Sequence, residues 1–83
     1  MLFYFHLVNG ADVLLDPEGR PLDGLQSVKS AALREARMLI SQEALAGAID
    51  LSQRIEVMDS SGEVVHRLEF ADAVVIAGPL SAG

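Results

Sequence analysis

The chain has 83 residues, the size of one small domain, and no cysteine, so disulfides, thiolate chemistry and Cys-type zinc sites are excluded. Twelve acidic residues outweigh six scattered Lys and Arg, giving a net charge of -6. No basic patch is available for a phosphate backbone or an anionic membrane, so no nucleic-acid or membrane partner is expected. Hydrophobic residues make up 51% of the chain. A domain this small buries only about 60% of its unfolded surface, so some apolar surface is expected to meet a partner chain.

Leu2–Val8 reads as a strand, with Phe3, Phe5 and Leu7 on one face and Leu2, Tyr4, His6 and Val8 on the other. It is too short and lacks the basic flank of a signal segment. No apolar run reaches the ~18 residues of a membrane span. A cytoplasmic protein is therefore expected. Asn9-Gly10 marks a hairpin turn, and Val13–Leu15 returns antiparallel. Asp16-Pro17-Glu18-Gly19 fits a type I turn. Arg20–Gly24 reads as a loop.

A long helix is expected over Leu25–Ala46, with Asp23 as N-cap and Gly47 as C-cap. Its apolar stripe runs through Val28, Ala32, Ala36 and Leu39, with Leu33 and Ile40 on a flank and Ser30, Arg34, Arg37 and Ser41 opposite. Glu43 falls on the apolar side near the helix end and is expected to reach solvent or an arginine. A second hairpin follows: Arg54–Asp59, a turn over Asp59-Ser60-Ser61-Gly62, then Val64–Phe70 with Val64, His66, Leu68 and Phe70 on one side. Ala73–Ala77 fits either a turn of helix or an edge strand. The expected layout is one domain over 1–77 and a flexible tail over 78–83.

This order, ββαββ, predicts an α+β fold: a mostly antiparallel four-stranded sheet with one amphipathic helix on one face. The other face would carry Tyr4, His6, Met58 and Val65. The first strand has no Lys, Glu or Pro to guard an exposed edge.

The order of these features resembles a family of short bacterial proteins classed as a domain of unknown function. The residues that carry the likeness are the opening Tyr4-Phe5-His6-Leu7 with Gly10, the acidic turn Asp16–Gly19 and the Ala- and Arg-rich helix. They continue through Asp50-Leu51-Ser52, Ile55-Glu56-Val57, Asp59–Gly62 and the closing Phe70–Ala73. His66 departs from the usual aliphatic residue, and Gln53 from a common Gly. The resemblance implies a small α+β bacterial protein and implies no activity.

His6 poses the sharpest chemical question. It could act as a base beside Asp16 or Glu18, which the first hairpin could bring close. The plainer reading is an imidazole on the second sheet face with one hydrogen-bond partner. The lack of a paired nucleophile favours that reading. His6 and His66 are the only histidines. They are expected on different hairpins, without metal-ligand spacing, so neither a metal nor a cofactor is expected. Asp12, Asp16, Glu18 and Asp23 lack the spacing of a calcium loop. The reading that emerges is a non-enzymatic, self-associating protein-interaction module. It would be a homodimer formed through the uncovered sheet face or an edge strand, with Tyr4 and Met58 as candidate interface residues, and it could also bind another protein. The alternative is a small-molecule-binding protein or weak enzyme using His6 with a nearby carboxylate.

Overall fold

The computed structural model describes residues 1–79; most of the tail expected over 78–83 lies outside them. The elements run β1 (Leu2–Asn9), β2 (Asp12–Leu14), β3 (Arg20–Pro21), α1 (Leu25–Ala46), β4 (Arg54–Asp59), β5 (Val64–Glu69) and α2 (Phe70–Ala73). The α+β class is borne out: one antiparallel sheet, ordered β2-β1-β4-β5, with a long helix across one face. The strand count rises to five, because Arg20–Pro21, read as loop, pairs with Leu2 and Phe3 of β1.

Strand order corrects one expectation. The apolar first strand is not an edge. β4 flanks it from Phe3 to Val8, and β2 and β3 share its other side. A strand apolar on both faces gains most from a central place, where its backbone groups are paired on two sides. The first hairpin turns at Gly10 and Ala11, one residue later than expected, since Asn9 pairs with Asp12. Positive φ falls on Gly10 alone, at 61°, the pattern of a type II′ turn.

α1 runs from Leu25 to Ala46, as expected. Its last turn closes with the Gly47 N–H on the Ala44 carbonyl and the Ala48 N–H on the Glu43 carbonyl, a Schellman pair. The N-cap is Gly24 and not Asp23, and no side chain caps this end. The helix simply begins one residue too late for the Asp23 carboxylate. Val28, Ala32, Ala36 and Ile40 are buried, while Leu39 is only partly so. The stripe's centre is thus shifted by one residue at its C-terminal end. The two alanines let the helix lie close to Phe3, Phe5, Ile55, Val57 and Phe70, which complete the core.

The second hairpin turns on Asp59, whose Oδ1 accepts the Ser61 N–H, the Ser61 hydroxyl and the Glu63 N–H. A register shift near Val57 and Met58 changes which face β5 presents. His66 and Leu68 pair with Val57 and Ile55 on the helix side, but Val64 pairs with Met58 on the other. Val64 therefore leaves the side expected for it. Val65, expected on the open face, packs against the core instead. α2 resolves part of the ambiguous segment: the helical turn ends at Ala73, and Val74 onward is extended or irregular. Arg37 ties it to α1 by donating from Nε to the Ala73 carbonyl at 2.8 Å.

Candidate functional site

On β1 the backbone groups of alternate residues point to opposite sides. Phe3 faces β3 and Leu7 faces β2. Phe5 lies between them, where no strand reaches. Its N–H donates instead to Asp16 Oδ2, at 3.1 Å. The other carboxylate oxygen, Oδ1, accepts the Glu18 and Gly19 N–H groups, each at 3.1 Å. One aspartate thus supplies the missing rung of the ladder and closes its own turn. The turn is built on the side chain and not on the Asp16 carbonyl of a simple type I turn. Burial works against ionisation of Asp16. The Phe5, Gly19 and Glu18 N–H bonds and the Arg20 charge outweigh it, and the pKa lies below the ordinary 3.8.

His6 is buried beside this turn. Its Nδ1 accepts the Asp16 backbone N–H at 3.0 Å. An accepting Nδ1 needs its lone pair, which leaves Nε2 to carry the proton of the neutral ring. His6 and Asp16 therefore do meet, but through the backbone amide, while the Asp16 carboxylate is engaged by three other amides. Glu18 joins the same turn by its N–H. Tyr4 stacks on His6, with ring centroids 6.5 Å apart and planes 15° from parallel. The turn closes against Tyr4 at Gly19. A Cβ there would lie 2.9 Å from Tyr4 Cε2 and 3.2 Å from the Phe3 carbonyl oxygen.

Tyr4 sits directly across from Met58, and His6 across from Glu56, on the sheet face away from α1. Glu56 Oε2 accepts from Arg54 Nε at 2.8 Å and from Arg67 Nε at 3.2 Å. Hydrogen bonding to Arg54, with Arg67 added, prevails over burial and lowers the Glu56 pKa. The three charges form a network across β4 and β5. Counting the hairpin register back from Ser60-Ser61 sets Glu56 opposite Val65; the register shift near Val57 and Met58 brings Arg67 there instead, so the network was hidden from the sequence.

Two further arrangements escaped the sequence. Arg20 lies over the Phe5 ring, 4.4 Å from its centroid, and its Nη2 reaches Glu35 Oε1 at 2.9 Å. They border a shallow groove of about 380 Å³ whose walls include Leu7, Leu14, Leu39 and Ile55. His6 is not among its lining residues. Gln53, noted only as a departure from Gly, is buried and donates to Glu43 Oε2 at 2.7 Å and to the Asp50 carbonyl. Glu43 also accepts the Asp50 N–H, so, while it stays partly exposed, it meets an amide pair and not an arginine. A glutamate and glutamine separated by a helix end and a loop leave no local spacing signal.

Among the described residues, no three His, Asp or Glu side chains gather as a metal-ligand group. The two histidines lie on opposite sheet faces, His6 with Glu56 and His66 with Val57. No helix is long and apolar enough to cross a membrane.

The arrangement defines a small α+β domain whose sheet sets two hairpins side by side through β1 and β4, with one long helix on one face. The chain belongs to the family described as Domain of unknown function (DUF6894), whose model matches residues 2–71. The match takes in the Asp16 turn, α1 and both hairpins, and it bears out the resemblance drawn from the order of motifs. Comparison with curated proteins and with solved structures returned no match.

Proposed function

We propose that this chain is a non-enzymatic protein-interaction module that associates with itself. The observation that carries the reading is the uncovered side of the sheet. α1 and α2 pack on the face of Phe3, Phe5, Ile55 and Val57, and among the described residues no helix packs on the face of Tyr4 and Met58, which stay partly exposed although His6 and Val8 beside them are buried. Tyr4 offers area with a polar tip, and Met58 opposite it is adaptable, both suited to a protein surface. On the same reading the protein is bacterial and cytoplasmic and works without a cofactor.

Sedimentation equilibrium or light scattering at micromolar concentration tests it. A mass near twice 8.8 kDa is expected; a clean monomer at every concentration overturns the reading. His6→Gln can present its side-chain oxygen to the Asp16 N–H and should assemble as the parent does. Parent-level folding with loss of a small-molecule ligand would instead favour a binding site at His6.

A further inference from the structure

We propose that two copies join edge to edge through β5, in an antiparallel register centred on Leu68. The proposal rests on the self-association above but places the contact at the sheet edge, leaving the Tyr4–Met58 face open. Its first support is the direction of the backbone groups. The Phe70 N–H donates to the Gln53 carbonyl at 2.9 Å, and the β4–β5 register places Leu68 opposite Ile55 and His66 opposite Val57. Phe70, Leu68 and His66 therefore turn their backbone groups toward β4. Arg67 and Glu69 turn theirs outward. Among the described residues, no backbone bond beyond the β4 ladder uses these outward groups.

The second support is charge. Centring the pair on Leu68 places Arg67 opposite the partner's Glu69, and Glu69 opposite the partner's Arg67. Each such pair would exchange two backbone hydrogen bonds, and their side chains would share the open face as opposite charges. Sliding by two residues in one direction sets Arg67 against the partner's Arg67. Sliding the other way sets Glu69 against the partner's Glu69. A slide far enough to employ Val65 meets the register shift near Val64, which breaks the regular edge. Only one register satisfies both the backbone and the charges.

The two-fold axis would run perpendicular to the sheet. Both helices would then lie on one side. The Tyr4–Met58 faces of both copies would join into one continuous surface on the other.

The test uses two charge reversals, Arg67→Glu and Glu69→Arg, studied alone and mixed. Alone, each variant repeats one sign at both contacts and should dimerise at least about tenfold more weakly than the parent. Mixed in equal amounts, a chain with Glu at both positions meets one with Arg at both, and the heterodimer should form at near-parent affinity. Circular dichroism of each variant checks that the monomer is folded. In the parent dimer, amide exchange at Arg67 and Glu69 should slow as concentration rises. Parent dimers with undiminished self-association of either variant, or folded variants that fail to associate when mixed, overturn the β5 contact but leave self-association standing. A parent that stays monomeric overturns both.

Discussion

The two edges of the sheet are closed by different means. On the β1 side, β2 and β3 contribute only three and two residues. The gap between them is sealed by the Asp16 carboxylate on the Phe5 N–H. On the β5 side, the strand runs regularly from His66 to Glu69 beyond the register shift, and the outward groups of Arg67 and Glu69 carry no such plug among the described residues. A side chain can replace a strand where one rung is missing, because a carboxylate accepts from several amides at once. It cannot replace several rungs in a row. The first edge is therefore a matter of folding, the second a matter of assembly.

The largest expected effect follows from that division. Asp16→Ala removes the acceptor of three backbone N–H groups and should cost about 2–3 kcal/mol of folding stability. Asp16→Asn should recover only part, since one of its two polar atoms is a donor and faces either the Phe5 N–H or the turn amides. Glu69→Arg, on the exposed β5 edge, should change monomer stability by less than about 0.5 kcal/mol. Urea unfolding at concentrations below the dimer range compares them. Equal losses at the two edges would break the comparison.

Gly19→Ala probes the same plug by sterics. Gly19 sits at a φ of 71°, and the added methyl would press on the Tyr4 ring and the Phe3 carbonyl. The cost should be about 1–2 kcal/mol, and the Tyr4 ring must move as well. Combining Gly19→Ala with Tyr4→Leu should recover the part due to the ring and leave the backbone part. Thermal melts of the double variant that match Gly19→Ala alone would place the whole cost in the backbone.

These residues also mark how far the sequence could be read. The α+β class, the helix from Leu25 to Ala46 and both hairpins were legible because period and turn chemistry are local signals. The central place of β1 was not, since strand order depends on pairing across the 40-odd residues between β1 and β4. Asp16 and His6 were legible as neighbours, but not their geometry. Whether a carboxylate or an amide faces the imidazole is set by one turn of the backbone. The switch of Val64 and Val65 between faces needed a one-residue register shift, which leaves the composition of β5 unchanged.

The edges should also differ in acid. The Asp16 pKa lies below 3.8 in the folded chain. Its contribution is thus fully present above 3.8 and is lost as the pH falls through the folded value. Unfolding free energy measured downward from pH 5 should drop more steeply for the parent than for Asp16→Asn, which cannot titrate there. Parallel curves would assign the acid loss to other carboxylates.

The smallest effect belongs to the other edge and to a different pH window. His66 of β5 lies on the helix side, opposite Val57. Burial, with the Lys29 charge added, holds its pKa below the ordinary 6.5. The unfolded chain therefore binds the proton first as the pH falls, and stability falls wherever the unfolded state holds more protons. The contribution is complete above about 6.5 and declines as the pH drops through the folded value. The ring is only half-buried, so solvent screens much of the penalty. His66→Leu should remove this dependence, keep the β4 ladder and cover the same patch of α1. Urea unfolding between pH 8 and 5 should show the parent weakening relative to His66→Leu only below neutrality. Lys29→Gln should shrink the difference without abolishing it, because burial is the larger cause. A parent that gains on the variant as the pH falls would mean that the imidazolium finds a partner on this strand, and that burial beside Lys29 does not set the His66 titration.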